Sequence, residues 1–296
     1  MSGSASEGDV LVAVEDPEQV AQLVRTAADL ARQGSGRVRL MTVVVKPPDS
    51  PFGLFSDETI VEEFAADSHE LLDRAPDPEG VELVRDLVVA RSVAKGIQSA
   101  VDRTDPAALL IGWDSDPRRS DVFLGTTVDK VLERAATDVY AERMGREAGT
   151  VEGVLVPVAG GPHVRASVIG AGAIAVANDA TVTLLSVAGE ETGFEGAQTA
   201  VERARQTLER TVEGSVNGET RVEIADRVED AIVEVAAEHD VIVLGATRKG
   251  VLRGRLVGSV PRHVVRETDQ TVIVARGEAG KRGTLGRLSA ALRGEQ

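Results

Sequence analysis

Two glycine-framed turns in this 296-residue chain carry the residue types that hold an anion. In the C-terminal half, the apolar run 241–244 leads into Gly245, Arg248, Lys249 and Gly250. Gly258, Ser259 and Val260 then open a helical stretch that ends near Glu267. Glycines let a main chain approach a ligand closely. A helix start offers unpaired N–H groups and the positive end of its dipole. Placed between strand and helix, such a turn has the chemistry to hold a phosphate, and Arg248, Lys249, Arg253 and Arg255 add charge-assisted donors. The structural reading of the same residues is a solvated loop followed by a plain N-cap. The N-terminal half repeats the frame: Gly112 follows the apolar run 109–111, and Gly125 and Thr126 open the next helix. In both halves the second glycine comes 13 residues after the first. Between them, however, lie Trp113, Asp114, Ser115, Asp116, Arg118 and Arg119. Two carboxylates there would repel a polyphosphate, with the arginines offsetting them locally. This turn reads as a degenerate copy, and Trp113 as a packing or interface residue.

Other chemistry is not indicated. His69, His163, His239 and His263 show no metal-ligand spacing and read as surface or cap residues, so no metal site is predicted. Gly250 is followed by Val251, where a P-loop needs Lys and then Ser or Thr. No Ser/His/Asp arrangement stands out, and the chain is not expected to be an enzyme.

The elements that position these turns also occur twice. Residues 10–14 match 154–158, and residues 38–43 match 182–187. A period this long means a duplicated domain. Short apolar runs alternate with helical periodicity, which predicts βαβ units and parallel sheets. The first domain, 9–142, reads as strands 10–14, 37–45, 82–90, 107–112 and 138–141. Its helices are 17–33, 57–74, 92–103 and 126–136. The second, 151–276, reads as strands 153–158, 180–187, 219–225, 240–245 and 271–275, with helices 162–178, 195–213, 228–238 and 259–267. Residues 1–8 are expected to be disordered, 143–150 a linker and 277–296 a tail. In that tail Leu285, Leu288, Ala291 and Leu292 share one helical face. The first domain alone carries a proline-rich insertion near Pro47, Pro48 and Pro51, with Phe52, Leu54 and Phe55 beside it. It reads as a packed surface loop, with a lid or dimer contact as the alternative.

Composition bounds the function. There are no cysteines, hence no disulfides or thiolate chemistry. The start has no apolar signal core, and the longest apolar run, 164–177, contains Arg165 and reads as a buried helix. A cytoplasmic protein without a membrane span is predicted. The net charge of −15 makes a poor nucleic-acid binder. Only 5 of the 33 basic residues are lysine. An acidic, lysine-poor surface resembles proteins of salt-in halophilic archaea, and an acidic protein from a GC-rich genome is the plainer source of the same composition.

The stretch from Asp240 through Gly245 and Gly250 to Gly258, Ser259 and Val260, closed by 271–274, resembles the C-terminal half of universal stress protein domains. These belong to the adenine nucleotide alpha hydrolase-like superfamily. Nucleotide-binding members carry G-x2-G-x9-G-[S/T]; here the spacing is kept but Arg248 replaces the middle glycine. The resemblance covers both domains. It implies two tandem Rossmann-like domains, each with a five-stranded parallel sheet of order 3-2-1-4-5. It also implies an ATP-type adenine nucleotide bound at the strand-order reversal. Carried over by position, the second domain would contact base and ribose through Pro157, Val158, Ala159 and Val187. Its phosphate contacts would be Gly245, Arg248, Gly258, Ser259 and Val260. Ala159 departs from the family, whose binding members have Asp there for the ribose. A weaker second site in the first domain would use Val14, Glu15, Val43, Gly112, Ser115, Gly125 and Thr126. The family further implies pairing of the final strands 138–141 and 271–274 as an intrachain pseudo-dimer, with a homodimer as a further step. The function implied is nucleotide sensing in stress response without dedicated turnover. The alternative is a nucleotide-free interaction module, for example for a membrane transporter.

Overall fold

A computed structural model describes residues 8–46, 55–113, 125–145, 150–190, 193–246 and 258–277. The first half runs β1 (Val10–Ala13), α1 (Val20–Gln33), β2 (Val38–Val45), α2 (Asp57–Phe64), α3 (Ala66–Asp73), β3 (Leu83–Ala90), α4 (Val93–Thr104), β4 (Ala108–Trp113), α5 (Gly125–Arg134) and β5 (Asp138–Arg143). The second runs β6 (Gly153–Pro157), α6 (Val164–Asn178), β7 (Thr181–Ala188), α7 (Phe194–Thr211), β8 (Asn217–Ile224), α8 (Val228–Ala236), β9 (Val241–Gly245), α9 (Ser259–Glu267) and β10 (Thr271–Arg276).

All these strands join one sheet of order β3-β2-β1-β4-β5-β10-β9-β6-β7-β8. Each half therefore has the expected order 3-2-1-4-5, and the halves meet edge to edge. Pairing is parallel throughout except at that seam, where β5 and β10 run antiparallel with Ala141 opposite Val274. Strands buried on both faces need apolar residues at every position. Along β1, Val10 and Val12 enter one apolar layer with α1 and α6, while Leu11 enters the other, with α4, α5, α8 and α9. This is a doubly wound α/β fold.

The seam is tied by a reciprocal pair of arginines. Arg143 donates to the carbonyls of Thr268 and Gln270, both at 2.8 Å. Arg276 donates to those of Ala135 and Thr137 at 2.6 and 2.8 Å. Each arginine ends its own strand and holds the chain leading into the other. For that reason β5 extends to Arg143, into the expected linker.

One predicted element is corrected. The helix expected over 57–74 is two, with a bend at Ala65. Ile60 and Leu72 both reach the core, yet twelve residues apart they would point about 120° away from each other on a straight helix. The bend turns both inward. Helix α6 is mostly buried, as its apolar run predicts. Among the described residues no helix is long and apolar enough to cross a membrane.

Candidate functional site

Strands β1 and β4 are neighbours whose following helices pack on opposite sheet faces, and so are β6 and β9. Beyond the carboxyl ends of such strands a doubly wound sheet leaves a crevice. A cavity occupies each one: about 260 Å³ in the second half and about 280 Å³ in the first.

Pro157 opens the second cavity. In the first half β1 pairs with β4 from Val10↔Ala108 to Ala13↔Ile111. In the second, β6 pairs with β9 only at Val154↔Val241 and Leu155↔Ile242. The N–H of Val158 donates to Leu185 O at 2.7 Å, so strand alternation turns Pro157, the counterpart of Ala13, toward β9. Proline has no N–H to give. The ladder stops and the strands part. The walls are apolar, from Pro157, Val187, Val228, Ile232, Leu244 and Val260. Gly245 ends β9 beneath the backbone of His163.

Helix α9 points its start at this space. Its N-cap, Gly258, is extended and makes no side-chain cap bond. By contrast, Ser56 and Ser92 accept amide hydrogens at the starts of α2 and α4. Val260 and Pro261, in the first turn of α9, line the cavity. Among the described residues no side chain caps this helix, so its first amides keep their positive potential for a ligand.

Charge separates the two mouths. After β1 comes Glu15, Asp16, Pro17 and Glu18; at the matching places after β6 stand Ala159, Gly160, Gly161 and Pro162. Three carboxylates are replaced by none. Gly160 and Gly161 hold φ of +78° and +108° with open space on the side where a Cβ would lie. Other residues would be strained there, and the bare turn exposes its main chain to the cavity. Among the described residues the first mouth is therefore acidic and the second is not.

The residues expected at the second site assemble as one wall set: Pro157, Val158, Ala159, Val187, Gly245 and Val260 all line the cavity. Gly258 and Ser259 immediately precede Val260 at the start of α9. Arg248, Lys249, Arg253 and Arg255 lie outside the described residues. At the first site Val14, Glu15, Val43 and Gly112 line the cavity, joined by Thr127 two residues after Gly125 opens α5. Ser115 lies outside the described residues, as do the insertion's Pro47 to Leu54 and the tail from residue 278. Trp113, read as a packing or interface residue, is buried, 4 % exposed, in the apolar layer that also holds Leu11. Its indole also borders the first cavity, and its Nε1 makes no hydrogen bond among the described residues.

The histidines, expected as surface or cap residues, divide: His69 is exposed. His163, expected at the surface or as a cap, is the N-cap residue of α6 but is buried and lines the second cavity. His239 is half-buried, its ring nitrogens 2.9 Å from Val235 O and from Thr183 Oγ1. His263 meets Asp230 at 2.8 Å. Sequence reasoning also missed Gly160, Gly161, Val228 and Ile232. The β1–β6 match, extended by five residues, pairs His163 with Gln19, which lines the first cavity.

The model of the universal stress protein family matches residues 8–141 and 151–276. Among curated proteins the chain has no match. Solved structures share the fold over nearly the whole chain. A universal stress protein from Archaeoglobus fulgidus is 15% identical with a TM-score of 0.59, covering 90% of this chain and 98% of its own. A functionally unknown protein from Pseudomonas aeruginosa is 16% identical, TM-score 0.57, over 97% and 98%. The cytoplasmic domain of a prokaryotic cation chloride cotransporter is 10% identical, TM-score 0.57, over 95% and 99%.

Proposed function

We propose that this chain, which belongs to the universal stress protein family and carries its domain twice, binds one adenine nucleotide in its second half and senses it without dedicated turnover. The observation that carries this reading is the second cavity. It is apolar where a base would lie and, among the described residues, lined by no carboxylate and faced by a start of α9 that no side chain caps. The base packs between Pro157, Val187, Val228 and Ile232. The phosphates reach the amides of Ser259 and Val260 past Gly245, with Arg248 as the cationic partner that the spacing supplies. The first cavity, with Glu15 and Asp16 on its wall, stays a structural copy.

Calorimetric titration with ATP, ADP and AMP in concentrated KCl tests this. One nucleotide per chain is expected, and Gly258→Asp abolishes it. Aspartate is itself a good N-cap, so the helix survives while its carboxylate takes the amides and repels phosphate. Two equivalents per chain, or unchanged affinity in the variant, would falsify the site. No heat and no thermal shift with any nucleotide would leave the interaction module as the function.

A further inference from the structure

The seam between the halves holds a polar cavity, separate from both crevices. Glu142, on β5, is fully buried. Its Oε1 accepts from Gln22 Nε2 at 2.8 Å and Thr26 Oγ1 at 3.3 Å. Gln22 Nε2 also reaches Thr271 Oγ1 at 3.1 Å. Oε2 of Glu142 has no hydrogen-bond partner among the described residues. Glu142, Asp29, Thr271 and Asn178 border a space of about 40 Å³, room for one small guest.

Duplication shows that this space is built in. Across the seam Tyr140 faces Ala275 and Glu142 faces Ile273. By the pseudo-twofold, Ile273 is the counterpart of Tyr140. Tyr140 fills the gap against α6, above Gly170, and donates its hydroxyl to Ala166 O at 3.0 Å. On α1 the places of Ala166 and Gly170 are taken by Gln22 and Thr26. There the shorter Ile273 leaves the gap unfilled, and oxygen-bearing side chains surround it. One side of the seam is plugged by a phenol; the other is hollow and polar.

What Glu142 lacks, among the described residues, is an ion pair of its own. Asp29 is met by Arg32 at 2.7 Å and Asn178 at 3.2 Å. Asp240 accepts the amides of Glu152 and Gly153. Arg25 rims the cavity from α1, exposed, and makes no ion pair with Glu142 among the described residues. A buried carboxylate without a counter-charge is costly. Burial pushes Glu142 up to about 7, against the pull of Gln22, Thr26 and Arg25, and Asp29 adds to the rise. Burial likewise raises Asp29 to about 6.

We propose that this hollow binds one monovalent alkali cation, sodium or potassium, held by Glu142 Oε2 among the oxygens of Asp29 and Thr271. Hard oxygen donors suit such ions, and one buried carboxylate without an ion pair calls for a single positive charge. The ion joins α1 and β5 of one half to β10 of the other, so its occupancy tunes the seam.

Thermal unfolding at pH 8 and constant ionic strength tests it, with choline chloride replaced stepwise by KCl or NaCl. The wild-type Tm rises to saturation by about 3 °C, because a ligand of the folded state alone stabilises it. Glu142→Gln abolishes the rise while leaving the acidic surface in place. Without alkali cations, a proton can substitute. A carboxyl raised when folded contributes stability below its unfolded value and loses it as pH climbs through the folded one. The rise on adding K⁺ therefore shrinks from pH 8 to pH 5. A wild type indifferent to cation identity at pH 8, or a Glu142→Gln protein that still responds, overturns the proposal. Should that variant not fold, Thr271→Val decides: an undiminished response overturns it equally.

Discussion

Ala159 sits where the second cavity meets solvent, at the end of a strand whose first-half counterpart leads to Glu15. On the proposed nucleotide reading, ribose hydroxyls would find no charged acceptor there, and affinity would come from the base pocket and the α9 amides. This residue separates two kinds of recognition. A hydrogen bond to a charged group contributes roughly 1.5–3 kcal/mol, or about tenfold or more in affinity. Ala159→Asp is therefore expected to tighten ATP about tenfold while leaving 2′,3′-dideoxy-ATP unimproved. Titrating both nucleotides against both proteins measures this. Equal gains for the two, or a loss for both through repulsion of the phosphates, would show that the carboxylate never reaches the sugar.

At the level of elements, most strands were plain in the sequence because they are short apolar runs closed by Gly, Pro or a charge; β8, with Glu219, Arg221 and Glu223, is the polar exception. The helices blurred where a bend brings two distant residues inward, as at Ala65. The site was half legible. Gly245 and Gly258 announce a phosphate turn through spacing, and Pro157 lies in a matched run. But the consequence of Pro157, a ladder cut short beside β9, needs the register of two strands 84 residues apart in sequence. Val228 and Ile232 looked like ordinary core positions of an amphipathic helix, since nothing local says that their neighbour is a cavity. Glycine inside α6 is another case that only packing explains. A Cβ on Gly170 would come within 2.6 Å of Tyr140 Cε1. Alanine is the better helix former by about 1 kcal/mol, yet overpacking a tight core costs about 1–3 kcal/mol. Because Tyr140 is pinned through its hydroxyl, the clash should win. Gly170→Ala is expected to lower the urea midpoint with an unchanged slope; a rise would mean that the seam yields easily.

For the whole molecule, the decisive feature is that two unequal halves share one sheet through β5 and β10. The pseudo-twofold runs through the Ala141↔Val274 pair, so each strand could in principle pair with a copy of itself in the same register. The two outcomes differ. Two copies of β10 would set Ile273 opposite Ala275, apolar against apolar. Two copies of β5 would set Tyr140 opposite Glu142 twice, and would bury two carboxylates near two phenols. A buried unpaired charge is heavily penalised, whereas small apolar pairs on a sheet face are neutral or favourable. The arginine contacts do not separate the cases, because Arg143 and Arg276 each find carbonyls of the chain before the facing strand. The seam thus encodes a preference for joining unlike halves that resides on β5 alone. Produced separately, residues 150–296 should form a dimer at micromolar concentration, while residues 1–145 should stay monomeric at neutral pH. Glu142→Ala, which gives β5 the same small residue as β10, should let the first half dimerise as well. Sedimentation equilibrium on the three fragments reads this directly. A monomeric second half, or a first half that dimerises with Glu142 in place, would mean that pairing at the seam is set by the helices α1 and α6 rather than by the facing side chains of the two strands.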